Sequence, residues 1–278
     1  MSAGESPPIP KPVRVRSVWA ANLESEFDLI GSTIDHYPFI SMDTEFPGVV
    51  FRQVAGSPGF REPHPTANYY LLKANVDLLK LIQIGITLSD AAGNLPDLGT
   101  GLCYIWEFNF RDFDVTRDTY ASDSVELLRR QGIDFEMNRR FGIDSVRFAE
   151  LMMSSGLVCN DSVTWVTFQG AHDFGYLLKI LTQRELPADM GKFLGLLRLF
   201  FGARVYDVKH LASFSGCLFG GLDKISESLG VERVAGKCHQ AGSDCLVTSQ
   251  AFQRIKEVYF CKGGLEKYAG VLHGLEVS

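Results

Sequence analysis

Residues 39–48 have the sequence FISMDTEFPG, which places Asp43 and Glu45 in an apolar stretch that a proline ends. The apolar residues predict a buried β-strand, and a strand points alternate side chains to the same face. Asp43 and Glu45 therefore project together near the strand end. Two carboxylates on one face repel each other unless a cation lies between them. The simpler alternative is a solvent-exposed edge strand that carries two acidic residues. The apolar residues around Asp43 and Glu45 disfavour it.

Three further residues could form a site with Asp43 and Glu45, because their side chains can bind metal ions or accept protons. Asp173 follows a predicted strand and a glycine and begins an amphipathic helix, where an aspartate is most simply an N-cap. His239 and Asp244 are five positions apart where a loop enters the last predicted helix. A histidine can accept a proton at neutral pH, although a loop histidine and a second N-cap aspartate are the simpler alternatives for this pair. The five residues together favour a two-metal phosphodiesterase.

The cysteines and the remaining histidines provide weaker candidates. Cys238, His239 and Cys245 could be zinc ligands, but their spacing matches no established ligand pattern. His172 is expected to point away from Asp173 at the same helix start, and we assign it no role. The six cysteines form no CxxC pair, which is typical of reduced, buried thiols in an intracellular protein.

Charge and composition narrow the class of protein. The formal net charge is −6, which argues against a broad cationic surface for duplex DNA and is compatible with a short groove for single-stranded nucleic acid. Residues 1–16 contain no apolar core of a secretory signal, and no run is long enough to span a membrane. We expect a soluble protein of the cytoplasm and nucleus, with a flexible Pro-rich tail over residues 1–12 and one domain over residues 13–278.

Hydrophobic periodicity predicts strands alternating with helices. Leu23, Phe27, Ile30 and Ile34 share one helix face. Strands are predicted over residues 37–45, 81–88, 103–108, 163–168 and 204–207, and helices over 69–79, 173–182, 190–201, 222–229 and from about 244. Several short helices are predicted within residues 122–155, and a loop within 53–65. The predicted fold class is therefore α/β, with a central mixed sheet flanked by helices.

Longer sequence segments indicate a particular family. Asp43-x-Glu45, Asp173 and His239-x4-Asp244 resemble the three motifs of DEDD exonucleases in their histidine-bearing branch. The chain is similar over nearly its whole length to the Caf/Pop-type deadenylases, the DEDD nuclease subunits of the Ccr–Not complex. The strings that carry this resemblance are SMDTEFPGVV (41–50), NVDLLK (75–80), DFGYLLKILT (173–182), LRLFF (197–201), VYDVK (205–209) and HQAGSD (239–244).

The resemblance implies a ribonuclease H-like fold and a poly(A)-specific 3′→5′ exoribonuclease that shortens mRNA tails and releases 5′-AMP. It implies two divalent ions, Mg²⁺ or Mn²⁺, which Asp43, Glu45, Asp173 and Asp244 would bind, with His239 as the general base. We expect Asp43 to bridge both ions, Glu45 and Asp244 to complete one site, and Asp173 to complete the other. It also implies poly(A) RNA, a large Not scaffold, a Ccr-type nuclease and BTG/Tob-type adaptors as partners, and no membrane.

Two segments depart from the family pattern, and two other functions stay open. Residues 53–68 form a longer loop, richer in Pro and Gly, and Gly170-Ala171-His172 replaces a Ser-Gly-Tyr type segment. A DEDDh exonuclease of another substrate class has the same five residues. An interaction subunit with weak or no catalysis is the alternative from another class, and the complete set of five residues argues against it.

Overall fold

The computed structural model describes residues 11–52, 64–261 and 263–276, and within them it contains strands and helices in alternation. The strands are β1 (Val13–Val18), β2 (Phe39–Glu45), β3 (Gln83–Ser89), β4 (Cys103–Asn109), β5 (Thr164–Thr167) and β6 (Val205–Asp207). The helices are α1 (Leu23–Thr33), α2 (Pro65–Leu78), α3 (Ser122–Gln131), α4 (Phe135–Phe141), α5 (Ser145–Ser154), α6 (Ala171–Thr182), α7 (Met190–Phe201), α8 (Val208–Ser213), α9 (Leu222–Ser228) and α10 (Ala241–Tyr259), followed by a 3₁₀ turn, Leu265–Tyr268.

The six strands form one mixed sheet in the order β1-β4-β3-β2-β5-β6. Strands β2, β3 and β4 are antiparallel to their neighbours in that run, whereas β1 is parallel to β4, and β5 is parallel to both β2 and β6. The mixed sheet with flanking helices confirms the predicted architecture. Strand β2 lies in the interior of the sheet, so the edge-strand alternative for its acidic residues is wrong.

Each face of the sheet buries its own hydrophobic cluster. Ile40 and Met42 of β2 belong to a cluster with α1, α2, α5, α6 and α7. Phe39 packs against a second cluster, which contains residues of α8, α9 and α10. Because strand side chains alternate, Asp43 and Glu45 lie on the α10 face.

Gly85 controls how closely α10 approaches the sheet. It pairs with Asp43 across β2 and β3. A Cβ atom at Gly85 would lie 1.9 Å from the carbonyl oxygen of Ala241, the first residue of α10. Only glycine fits there. Because it has no Cβ atom, the start of α10 can pack on the sheet beside Asp43.

Several predicted elements differ from the observed ones. Strand β1 and the short helix α8 were not predicted, and α2 begins earlier than expected. Helix α6 begins at Ala171 with Gly170 at its N-cap, so the N-cap alternative for Asp173 is wrong. Residues 53–63 of the unusual loop and residues 1–10 of the predicted tail lie outside the described residues.

The cysteines also differ in part from expectation. All six are free, as expected for a reduced chain. Only Cys245 is buried, whereas Cys159, Cys217 and Cys261 are exposed, so the prediction of uniformly buried thiols was wrong. Among the described residues, no helix is both long and apolar enough to cross a membrane.

Candidate active site

The predicted acidic residues converge at the end of β2. Asp43 and Glu45 are among the last three residues of that strand, and Asp244 lies in the first turn of α10. One carboxylate oxygen from each of these three residues lies within 4.8 Å of the other two. The close approach of α10 at Gly85 is what brings Asp244 to the strand.

Asp173 reaches the same place from the opposite layer of the molecule. It lies in the first turn of α6, which belongs to the other face of the sheet. Its Oδ1 accepts a hydrogen bond from the hydroxyl of Thr44, the residue between Asp43 and Glu45. The site therefore lies where helices from both layers meet around the end of one strand.

A buried aspartate fixes the turn that leads into α6. Asp207, at the end of β6, is fully buried and accepts hydrogen bonds from the backbone N–H groups of Gln169 at 2.8 Å and Gly170 at 3.1 Å. Gln169 has a φ of 57°, a left-handed conformation that a non-glycine residue adopts only when its surroundings impose it. Asp207 thus positions the start of α6, and with it Asp173.

His239 and Asp244 are joined through the backbone of their loop. The N–H of His239 donates to Asp244 Oδ2 at 2.9 Å, and His239 has a φ of 58°. Arg233 ion-pairs with the other oxygen of Asp244 at 2.6 Å and with Asp223 at 2.6 Å. The guanidinium group therefore partly neutralises Asp244.

Crowding and burial disfavour a fully charged cluster. Burial, followed by the neighbouring charges of Asp173 and Asp244, raises the pKa of Asp43 well above its usual range. Glu45 has a raised pKa for the same two kinds of reason. Burial raises the pKa of Asp173 to about 7, and the hydrogen bond from Thr44 offsets only part of this effect. Burial also raises the pKa of Asp244, against the charge of Arg233.

The donor set fits hard divalent cations. The clustered ligand atoms of Asp43, Glu45 and Asp244 are all carboxylate oxygens, the ligands that Mg²⁺ and Mn²⁺ prefer. A dication would remove the mutual repulsion that raises these pKa values. The geometry groups three of the four predicted ligands around one position and leaves Asp173 to one side, bonded to Thr44.

A cavity opens beside the cluster. It has a volume of about 490 Å³ and is bordered by Glu45, Phe46 and His239, together with Val49, Arg52, Ser124, Leu127 and Leu128. The Phe46 ring lies 4.9 Å from the ring of Tyr176 and is stacked on His172 at 5.4 Å. His239 thus lines the space that a substrate next to the cluster would occupy.

A second cavity, of about 420 Å³, also borders Val49 and Arg52. Its other walls include Gln169 and His172 near the start of α6, and His273 near the end of the described chain. The two cavities therefore form neighbouring compartments along one side of the site.

Sequence reasoning missed four residues that support this site: Thr44, His172, Asp207 and Arg233. Thr44 lies between the two predicted acids, but its bond to Asp173 spans 129 positions. His172 was given no role, yet its ring packs on Phe46, and burial lowers its pKa to about 4. Asp207 and Arg233 make their contacts through loops and carry no periodic signal, so only coordinates reveal them.

Known proteins resemble this chain over almost its full length. A family profile described as CAF1 family ribonuclease matches residues 18–151. The probable CCR4-associated factor 1 homolog 10 of Arabidopsis thaliana is 55% identical over 266 residues, covering 96% of this chain and 94% of that protein. The poly(A) ribonuclease pop2 of Schizosaccharomyces pombe is 43% identical over 261 residues, covering 94% of this chain and 75% of that protein.

Solved structures agree with the fold. The structure of S. pombe Pop2p in its Mg²⁺ and Mn²⁺ bound form has a TM-score of 0.85 and 43% identity, covering 94% of this chain and 99% of that one. The yeast CAF1 structure co-crystallised with the NOT1 MIF4G domain has a TM-score of 0.77 and 31% identity, covering 97% and 100%. The predicted ribonuclease H-like exonuclease fold is therefore confirmed.

Proposed function

The chain belongs to the CAF1 family of ribonucleases, and from that premise we propose that it is a poly(A)-specific 3′→5′ exoribonuclease that shortens mRNA tails and releases 5′-AMP. The observation that carries this proposal is the cluster of Asp43, Glu45 and Asp244, with ligand oxygens within 4.8 Å of one another beside a cavity that His239 lines. A relative named poly(A) ribonuclease supports the substrate, and a similar structure with Mg²⁺ and Mn²⁺ bound supports the metals.

The carboxylates hold the cofactor in this proposal. Asp43, Glu45 and Asp244 would bind one divalent ion, and Asp173, together with Asp43, would bind the second. Such ions, Mg²⁺ or Mn²⁺, supply Lewis acidity at the scissile phosphate and balance the charge that develops on its oxygens. Thr44 holds the carboxylate of Asp173 in place, and Arg233 holds that of Asp244.

His239 accepts a proton in the reaction. His239 borders the same cavity as Glu45, the space in which the proposal puts the attacking water. The hydrogen bond from its backbone N–H to Asp244 fixes the loop and therefore the position of the ring. A water that loses its proton to His239 attacks phosphorus, and the 3′ oxygen of the preceding nucleotide leaves.

The two cavities provide a path for single-stranded RNA. Phe46 borders the first cavity, and aromatic rings stack on bases without strong sequence preference. Arg52 is exposed and borders both cavities, where its guanidinium group can contact backbone phosphates. We place the 3′-terminal nucleotide in the first cavity and the preceding nucleotide in the second.

A gel time course tests this function. The substrate is a 5′-labelled RNA with a mixed-sequence body and a 3′ tail of adenosines, incubated with Mg²⁺ or with chelator. Stepwise shortening that slows at the boundary between tail and body, and that stops with chelator and in Asp43→Ala, is expected. Asp112→Ala is the matched control, because Asp112 is a half-buried carboxylate outside the site that accepts a hydrogen bond from the hydroxyl of Ser145.

Oligo(U) and single-stranded DNA of equal length separate the alternatives. Equal shortening of all three would leave an exonuclease and remove the poly(A) assignment. An inactive wild type that still binds a Not scaffold would favour the interaction subunit, the alternative with no catalysis.

We also propose that the protein works within a Ccr–Not assembly in the cytoplasm and nucleus, with a Ccr-type nuclease and BTG/Tob-type adaptors. The co-crystal of the yeast relative with a NOT1 MIF4G domain supports the scaffold. Helices α4 and α5 expose Met137, Phe141, Val146 and Met153, which gives a first surface to test. Met153→Glu should weaken capture by an immobilised MIF4G domain, whereas Val258→Glu, an equally exposed change on α10, should not.

A further inference from the structure

A third cavity lies apart from the proposed active site. Its volume is about 840 Å³, which exceeds that of either cavity beside the carboxylate cluster and falls within the range of small-molecule sites. Its walls come from the start of β1, the turn between β3 and β4, the loop between α9 and α10, and one side of α10. Asp43, Glu45, Asp173, His239 and Asp244 do not border it.

Two glutamines of α10 bring unpaired amide groups to the wall of this cavity. Gln253 is 8% exposed, and its Nε2 has no hydrogen-bond partner within the parts of the chain that the structure describes. The buried Oε1 of Gln250 is unpaired in the same sense. By contrast, buried Gln83 donates to Asn109 Oδ1 at 2.7 Å and accepts from the N–H of Ala241. Because an unpaired buried amide is destabilising, a ligand that pairs with both glutamines would stabilise the fold.

The turn between β3 and β4 holds Gln253 in place. Gly93 in that turn has a φ of 87°, and a Cβ atom there would lie 3.0 Å from Cγ of Gln253, so glycine leaves room for the glutamine side chain. One helical turn further on, the Nζ of Lys256 donates to the carbonyl oxygen of Ala91 at 2.8 Å. The turn and α10 are therefore joined, and the cavity between them is preformed.

The charged groups of the wall balance one another. Lys11 forms an ion pair with Asp97, and Arg254 donates to Glu257 at 2.7 Å. The remaining charged side chain that borders the cavity is Glu232. Because two cations and two anions line the cavity, its charge favours neither an anion nor a cation, and we expect a neutral group to fill it.

The wall suits a flat, neutral ring with polar groups on its edge. Tyr37, Val231 and Leu246 border the cavity and can pack on the faces of a ring. Gln250 and Gln253 are three positions apart and therefore neighbours on the helix surface. Together they present one acceptor and one donor. Adenine offers the matching pair, a 6-amino donor and a ring-nitrogen acceptor, and glutamine amides commonly recognise it.

We propose that this cavity binds an adenine base, whose 6-amino group donates to Gln250 Oε1 and whose ring nitrogen accepts from Gln253 Nε2. The base belongs either to a free adenosine or adenosine monophosphate or to an RNA tail, since both sources offer the same edge. The site is independent of the proposed function, because no step of the proposed reaction uses the residues that line it.

Calorimetric titration of the full chain with adenosine tests the site. Chelator is present throughout, so that ions at the proposed active site do not contribute. The wild type should bind adenosine, and Gln253→Met, which keeps the length of the side chain and removes the amide, should bind it about tenfold more weakly. Without ligand, Gln253→Met should have an equal or higher Tm, because an unpaired buried amide is gone. Gln131→Met, the same change in half-buried Gln131 of α3, should bind adenosine as the wild type does.

Related ligands test the edge of the base and identify its source. Inosine has a carbonyl oxygen in place of the amino group and should bind about tenfold more weakly than adenosine. Similar affinities for adenosine and 5′-AMP would assign the base to a free nucleoside or nucleotide. Tighter binding of a short oligo(A), lost in Gln253→Met, would assign it to an RNA tail.

Three results would overturn the site. They are equal affinity for adenosine in wild type and Gln253→Met, equal affinity for adenosine and inosine in the wild type, and no binding of adenosine, 5′-AMP or oligo(A) to the wild type. These titrations involve no cleavage of RNA, so a failure of the proposed function in the gel time course would leave their outcome unchanged.

Discussion

The single buried acid Asp207 and the cluster of Asp43, Glu45 and Asp244 have different surroundings in this fold. Asp207 is fully buried, and backbone N–H groups of Gln169, Gly170, Lys209 and His273 donate to its two oxygens at 2.8 to 3.1 Å. The carboxyls of Asp43, Glu45 and Asp244 instead face one another. Burial raises the pKa of Asp207, and its N–H donors oppose that rise, whereas for Asp43 the neighbouring acids add to it.

The difference separates a structural acid, Asp207, from the acids that we propose to be functional. Fixed N–H donors satisfy a carboxylate permanently, so Asp207 needs nothing further to be stable. Acids that face one another are destabilising until a cation arrives, and a fold retains such strain where it serves a function. Four variants test how far this contrast extends.

Asp43→Ala should produce the largest change. It removes the ligand expected to bridge both ions, so tail shortening should fall by at least about 10³-fold. The increase in Tm that Mn²⁺ gives the wild type should shrink strongly, while the circular dichroism spectrum stays the same. Substantial activity in this variant would show that the facing acids are not the catalytic cluster.

Asp207→Asn should cost stability rather than chemistry. The amide has one acceptor oxygen, and its NH₂ group opposes buried N–H donors, so the free energy of unfolding should fall by roughly 3 kcal/mol. Denaturant unfolding in the presence of chelator measures this loss. If the variant is as stable as the wild type, the carboxylate of Asp207 does not stabilise the fold as we infer.

Asp173→Asn should make the metal-free protein more stable. The pKa of Asp173 is about 7 in the fold and 3.8 ordinarily, so the folded state holds an extra proton between these pH values. Wild-type stability should therefore fall as pH rises from about 4 to 7, and the neutral amide avoids this loss. The gain should be on the order of a few kcal/mol above pH 7 and vanish near pH 4. Unfolding curves with chelator at several pH values measure it, and a gain independent of pH would contradict the assignment.

Thr44→Val should have the smallest effect. The change keeps the shape of the side chain and removes the hydroxyl that donates to Asp173. Loss of one supporting hydrogen bond should weaken the response to Mn²⁺ about tenfold, because such supports tune metal affinity. The Mn²⁺ concentration at half-maximal activity measures this shift, with Thr116→Val, a surface threonine, as control. An unchanged value would mean that Asp173 is positioned without Thr44.

The sequence predicts the acidic pair of β2 better than it predicts the residues that support the site. Alternation along β2 was enough to place Asp43 and Glu45 on one face, because that rule is local. The convergence of Asp173 and Asp244 was available only through resemblance, since they arrive from opposite layers of the sheet. Asp207 and Arg233 could not be predicted from pattern, because Arg233 and the residues 169 and 170 that bond Asp207 lie in irregular segments whose geometry the whole fold determines.

The way that α10 rests on Gly85 also sets the order in which the enzyme becomes complete during synthesis. Asp43 leaves the ribosome about two hundred residues before Asp244, and no local segment contains both. A nascent chain therefore carries Asp43, Glu45 and Asp173 before it contains the loop with His239 and the helix with Asp244. The cluster of facing acids therefore forms only after α10 has been synthesised and has docked on the sheet at Gly85.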